Sequence, residues 1–342
     1  VNQKELNNRN KLKEEKPLVY EKIIKNKIAP IIQLQYNYIC NFKCQHCSID
    51  KVKQKKDRRS LVPDDIKNIF EQADKLDMAR VTITGGEPLA FKDLDQVVEA
   101  INPQKFYINC DSNGWLINEE SAKHLKDIGI DRIQLSLDSL NKEEHDSFRQ
   151  AKGSADRVLK AVDTIQNSGL GLFMQTVVTK NRLYSIEFIN YLNYFNRRGV
   201  GVFVTFAKPV GAWEGCFNDL IDRKDLEYLE ELEKNYNVFS HLTPAYGVNE
   251  ERNCVAGRNI FSITQYGDVL PCPYFYCSMG NLFEESLETI HNRCLKIKAF
   301  NKDTCLLAED KEFIDKYLVK KIYGKDLPVN YTNVFTEDDF NC

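Results

Sequence analysis

The chain of 342 residues lacks any apolar run close to the roughly 18 residues needed to cross a bilayer. No membrane span is therefore expected. It also lacks an excess of charge of either sign, with 47 Lys and Arg against 50 Asp and Glu and a net charge of −3. That balance excludes a global basic field able to hold nucleic acid by its phosphates. The opening residues, Val1 to Lys16, are rich in Lys, Glu and Asn and contain no secretion signal. Without such a signal, the eleven cysteines do not read as a disulfide framework. A reducing, cytoplasmic setting with metal or cluster ligation fits them better. What the chain does have is enough apolar sequence, 42%, to form a core, which excludes general disorder.

From Ile31 onward, short apolar runs alternate with amphipathic stretches. Strands are expected over residues 31–36, 80–84, 105–110, 132–137, 171–178 and 201–206. After the start signal Pro63-Asp64, the residues Ile66, Ile69, Phe70, Ala73 and Leu76 recur at helical spacing. Residues 121–128, 155–166 and 185–196 read the same way. Six strand–helix units in succession imply an α/β fold, a parallel sheet with helices outside. All strand C-termini then share one rim, where ligand-binding loops belong. Six units are too few for an eight-fold barrel, so a partial (β/α)6 barrel or an open sheet is expected over residues 31–215. A polar leader, residues 1–30, precedes it, with a helical pattern around 18–28. A helical linker, 216–250, follows, with an acidic helix over 225–235. Residues 251–342 read as a small Cys-rich α+β domain. It should hold a hairpin over 261–270 turning on Tyr266-Gly267-Asp268, a helix over 287–300 and an irregular tail after Gly324.

Cys40, Cys44 and Cys47 form C-x3-C-x2-C directly after the first strand. Three thiolates on one short loop can converge on a soft metal centre. They are one ligand short of a closed cluster, which leaves one iron open to a non-protein ligand. A zinc site completed by His46, or three unrelated thiols, are the alternatives. The second strand ends in Gly85-Gly86-Glu87-Pro88. Its glycines allow a close approach to the backbone, and its carbonyls together with Glu87 can accept hydrogen bonds from an ammonium group. By itself that tetrapeptide is a turn.

Together these motifs make the chain resemble the radical S-adenosylmethionine (radical SAM) superfamily over about residues 31–215. The resemblance implies that Cys40, Cys44 and Cys47 hold a [4Fe–4S] cluster. The open iron of that cluster would chelate the methionine amine and carboxylate of S-adenosylmethionine. It further implies that Gly85, Gly86, Glu87 and Pro88 grip the methionine end, and that His46 packs beside the cofactor where the family usually carries an aromatic. Asn113, in Ser112-Asn113-Gly114, stands where the family often has Thr-Asn-Gly. Ser136 and Asp138 stand where relatives contact ribose or carboxylate, and Arg149 where they place a carboxylate-binding arginine. A strand-end turn and a surface arginine are the plainer readings of these last three residues.

In the C-terminal part, Cys254-(x12)-Gly267-(x4)-Cys272 resembles the SPASM and twitch appendages of these enzymes, which carry auxiliary iron–sulfur clusters. A hairpin would bring Cys254 and Cys272 together at its base, with Cys305 returning from beyond the next helix. Cys277, or else Cys342, would supply the fourth thiolate. The dense C-x2-C-x5-C-x3-C block of a full SPASM domain is missing, so one auxiliary [4Fe–4S] cluster is expected; zinc is the alternative. Cys110, Cys216 and Cys294 read as structural.

The resemblance implies reductive cleavage of S-adenosylmethionine to a 5′-deoxyadenosyl radical and hydrogen abstraction from substrate. It also implies an electron donor such as flavodoxin or ferredoxin. The substrate is either a peptide or protein side chain, as for a maturase, or a small molecule, as for a dehydrogenase or a biosynthetic enzyme. A non-catalytic iron–sulfur or zinc protein would have no need of Gly85 to Pro88 at a strand end.

Overall fold

The computed structural model describes residues 12–25, 31–52, 57–242 and 254–341. The end of the expected leader helix, the end of the linker and Cys342 lie outside the described residues. The order is α1 (Pro17–Lys25), β1 (Ile31–Asn37), α2 (Pro63–Lys75), β2 (Arg80–Gly85), α3 (Leu94–Ile101), β3 (Tyr107–Ser112), α4 (Glu119–Asp127), β4 (Arg132–Ser136), α5 (Lys142–Arg149), α6 (Ser154–Ser168), β5 (Gly171–Val178), α7 (Ile186–Arg197) and β6 (Gly201–Phe206). The strands β1 to β6 lie side by side in chain order, every neighbouring pair parallel. The α/β class and the parallel six-unit core agree with the sequence reading.

Two extensions were not foreseen. After α8 (Arg223–Glu233), the short β7 (Val238–Phe239) adds to β6 in parallel. At the opposite edge, the hairpin of β8 (Ile260–Ile263) and β9 (Val269–Leu270) joins the same sheet, β8 running parallel to β1. Among the described residues the sheet thus has nine strands, in the order β7-β6-β5-β4-β3-β2-β1-β8-β9, and stays open between β7 and β9. The Cys-rich part is consequently fused to the sheet. Ile32 and Leu34 of β1 share one apolar core with Phe261 of β8 and with Phe275 and Phe313 further along the chain. Beyond Gly324 the chain is more ordered than expected, because β11 (Val329–Asn330) pairs in parallel with β10 (Cys277–Ser278). Among the described residues no helix is long and apolar enough to cross a membrane.

Of the helices that escaped the sequence reading, two did so for different reasons. Leu94, Val97, Val98 and Ile101 of α3 are all buried at helical spacing, so its signal was present. The inner face of α5 instead carries His145 and Arg149, its buried residues, and no apolar stripe marks it. Asn141 starts that helix by accepting from the amides of Glu143 and Glu144.

Phe261 is fully buried and meets the His291 ring edge-on at 4.8 Å. Phe261→Ala should cost about 3–5 kcal/mol through the cavity it leaves. Because that residue lies in the shared core, the loss should appear as one earlier unfolding transition in an anaerobic denaturant titration, not as separate melting of the C-terminal part.

Candidate active site

The C-terminal ends of β1 to β6 surround a cavity of about 200 Å³. Cys40, Cys44 and Cys47 line it, with His46, Gly85, Gly86, Glu87, Asn113, Ser136 and Arg149. Of the residues expected to bind the cofactor, Asp138 and Pro88 are not in its wall.

The glycine pair is required by chain packing. Gly85 has φ +121°, and a Cβ there would stand 2.3 Å from the Asn37 carbonyl oxygen. At Gly86 a Cβ would stand 1.9 Å from the carbonyl oxygen of Ile39. The amides of Gly86 and Glu87 donate to those same two oxygens, each at 2.8 Å. The turn after β2 is thereby clamped to the segment that leads into Cys40.

Glu87 is likewise engaged by its own chain. Its carboxylate accepts from Ser112 Oγ and the Asn113 amide, both at 2.8 Å, and from the Leu89 amide at 3.2 Å. Pro88 begins the short helical turn that Glu87 caps. Burial pushes the Glu87 carboxyl up to about 7 against those donors. The Asn113 side chain donates to Asn41 at 2.7 Å, which ties the end of β3 to the cysteine loop.

Asp138, expected at the cofactor, supports Arg149. Its carboxylate accepts from Arg149 Nε at 2.6 Å and from the Val177 amide at 2.9 Å, both residues of the cavity wall. Burial would raise this carboxyl, but the charge of Arg149 outweighs it and holds the group well below the usual range. So anchored, Arg149 points Nη1 at Cys44 Sγ, 3.9 Å away. His46 stacks on Phe148 with ring centroids 4.3 Å apart. Burial, with Arg149 next in effect, lowers His46 to about 3, so its ring is neutral at pH 7. Its Nδ1 is buried and has no hydrogen-bond partner among the described residues.

Several lining residues were missed from sequence, among them Gln33, Gln35, Asp111, Lys208 and Tyr274. Asp111 directly precedes Ser112-Asn113, so its strand-end position was legible there. Burial pushes its carboxyl up to about 7, partly opposed by Arg132 and by a 3.0 Å hydrogen bond from Asn109. Lys208 is buried, donates to the Phe206 carbonyl at 3.0 Å and lies 4.4 Å over the Tyr274 ring.

Behind Tyr274 a second, smaller cavity is lined by Cys254, Cys272 and Cys305. Burial raises all three, Cys272 to about 12; neighbouring thiols add to it at Cys254 and Cys272, while Lys208 opposes it at Cys272 and Cys305. The structure places the expected fourth ligand, Cys277, elsewhere. It is fully buried in β10, 4.0 Å from Met279 Sδ and beside Cys294, and it does not line this cavity. Its pairing with β11 fixes it there, an interaction that the apparently irregular tail concealed. Among the described residues no three His, Cys, Asp or Glu side chains converge on a single metal ion. Each cysteine set instead borders a cavity, an arrangement that favours a multi-atom cluster over one zinc ion.

Models of two families match the chain. The radical SAM superfamily covers residues 34–184, and SPASM, an iron–sulfur cluster-binding domain, covers residues 254–312. The chain thus carries a radical SAM domain and a SPASM domain. The first of these domains binds S-adenosylmethionine and a [4Fe–4S] cluster, and the second binds auxiliary iron–sulfur clusters. The chain is 28% identical over 271 residues to mycofactocin maturase MftC of Mycolicibacterium smegmatis, covering 75% of this chain and 68% of that protein. It is also 28% identical to the antilisterial bacteriocin subtilosin biosynthesis protein AlbA of Bacillus subtilis, over 74% of this chain and 57% of that one. In fold it is similar to Streptococcus suis SuiB, with a TM-score of 0.61, 21% identity, and coverage of 80% of this chain and 67% of that one.

Two outcomes follow from this geometry. Gly86→Val should force the Ile39 segment aside and lower the iron content of the first site by well over half, measured after anaerobic reconstitution. A carboxyl whose folded pKa is raised contributes stability below its unfolded value near 4 and loses that contribution as pH rises through about 7. Asp111→Asn keeps a neutral group at every pH. Its thermal midpoint should therefore exceed that of the parent protein at about pH 8 by more than at about pH 5, in melts of the anaerobic protein before reconstitution.

Proposed function

We propose that this radical SAM enzyme is a maturase that oxidises or rearranges a side chain of a peptide or protein, working in the cytoplasm with a flavodoxin- or ferredoxin-type electron donor. The observation that carries this reading is the placement of two cysteine-lined cavities either side of the Cys272-Pro273-Tyr274 segment, Cys272 in the wall of one and Pro273 and Tyr274 in the wall of the other. Cys40, Cys44 and Cys47 hold the first cluster, and Cys254, Cys272 and Cys305 ligate the second. When bound, the first cluster and S-adenosylmethionine supply the radical that removes a hydrogen atom from an unactivated carbon.

The chain's own residues do the rest. Arg149, anchored by Asp138, presents positive charge beside Cys44 and suits a carboxylate. Ser136 and Gln175, on neighbouring strands of the cavity wall, offer hydroxyl and amide groups to sugar oxygens. Asp111, titrating near neutrality, is placed to take up or release a proton at its carboxyl oxygen when a substrate is oxidised. The thin wall suits electron transfer from an oxidised substrate to the second cluster, which would make the net reaction an oxidation.

Support for a peptide substrate comes from relatives named as maturases or bacteriocin biosynthesis proteins, and from the similarity in fold to SuiB, solved with its precursor peptide SuiA. A small-molecule substrate is the second reading. It is favoured by 27% identity to the GTP 3′,8-cyclase of Aliarcobacter butzleri over 73% of this chain and 84% of that protein. The reconstituted chain, reduced and given S-adenosylmethionine, should release 5′-deoxyadenosine. Changing Cys40, Cys44 and Cys47 together to Ala should abolish that release, at least a hundredfold, and leave the second cluster's iron in place. Incubation with short peptides encoded beside the gene, followed by mass spectrometry, separates the two substrate readings. Loss of hydrogen from a peptide supports the maturase, and modification of none of them favours a small molecule.

A further inference from the structure

Each donor lining the second cavity is identifiable. Of its twelve wall residues, the side chains able to ligate iron are Cys254, Cys272, Cys305 and His241, and the others are Leu, Val, Ala and Phe. His241 follows β7, the unforeseen edge strand, just after the fully buried Ser240. It therefore approaches the cavity from the barrel side, whereas the thiols come from the C-terminal part. Its nearest ring is Phe203, at 6.5 Å, and no hydrogen bond engages the imidazole among the described residues. The ring is half-buried, within the field of Lys208, and shares its cavity wall with the three thiols, so it is a further donor at hand for whatever occupies that cavity. Cys277 and Cys294 are committed elsewhere, as shown above.

We infer that His241 is the fourth protein ligand of the auxiliary cluster, giving it a Cys3His donor set. The inference rests on the reading that Cys254, Cys272 and Cys305 hold that cluster. A neutral imidazole nitrogen is a good iron ligand, and it brings one negative charge fewer than a thiolate. Lower negative charge on the ligand set raises a cluster's reduction potential. The Lys208 ammonium, whose field reaches Cys272 and Cys305, acts in the same direction. A cluster poised this way is a better acceptor for an electron leaving a substrate radical than an all-thiolate one. The ligation would also fasten the β7 edge to the C-terminal part across the sheet's open side.

The test uses the full chain, reconstituted anaerobically, with Cys40, Cys44 and Cys47 changed to Ala so that the second site alone holds iron and His46 no longer borders a cluster. Pulsed electron paramagnetic resonance of the reduced cluster, in protein grown with ¹⁴N- or ¹⁵N-histidine, should show a directly coordinated histidine nitrogen. His241→Cys should retain about four irons, lose the histidine coupling and shift the midpoint potential downward. His241→Ala should lose the coupling and at least one iron. Four irons with no histidine coupling, or a coupling and potential unchanged in His241→Cys, overturn the assignment while leaving the three-thiolate reading intact. A second site that takes up no iron overturns both. Loss of iron in Cys342→Ala but not in His241→Ala overturns it in favour of the chain end.

Discussion

One backbone crossing underlies the rest of the site. The Gly85-Gly86 turn lies so close against residues 37–39 that neither position has room for a Cβ, and two amides of the turn are bonded to carbonyls of that segment. The loop bearing Cys40 therefore takes its position from the end of β2. Glu87, the next residue, reaches to Ser112 and the Asn113 amide and so fixes the end of β3 as well. The Asn113 side chain closes the circuit on Asn41. Three strand ends and one cysteine loop are thus tied together through the buried Glu87, Ser112 and Asn113. Such a frame is pre-organised, which is what positioning a reactive cofactor requires.

Charge in this frame is distributed unevenly. On the β4 side, Asp138 stays ionised because Arg149 is bonded to it, and the arginine in turn directs positive charge toward Cys44. On the β2 and β3 side, burial holds Glu87 and Asp111 near neutrality. The cavity can accordingly present a cation to an anionic group at one end and a proton-exchanging carboxyl at the other. Lys208 and Tyr274 occupy the wall beyond, with the second set of thiols behind them.

Much of the fold was legible because it rests on local pattern. The strands expected over 171–178 and 201–206 are found with those bounds, and the others shift by a residue or two. The Cys-rich hairpin was visible from its Tyr-Gly-Asp turn, but its attachment to β1 was not, since strand pairing across more than 200 residues leaves no local trace. The cysteine motifs located both cavities, because loop spacing alone brings thiols together. What the motifs could not distinguish was a residue facing a ligand from one supporting it. Asp138 has the right chemistry for either role, and only its bond to Arg149 decides. Cys277 was chosen for its short distance along the chain, and its pairing partner lay in a tail without a strand signal. His241 gave no sequence signal at all, being a lone histidine after a two-residue strand.

The central claim is that the two cysteine-lined cavities hold two different clusters, one open to S-adenosylmethionine and one closed by protein ligands. Mössbauer spectroscopy of the ⁵⁷Fe-reconstituted chain, with and without S-adenosylmethionine, tests this most directly. About eight irons per chain are expected, of which one changes its signal when the cofactor is added. Iron confined to one four-iron cluster, or a spectrum indifferent to the cofactor, would contradict it.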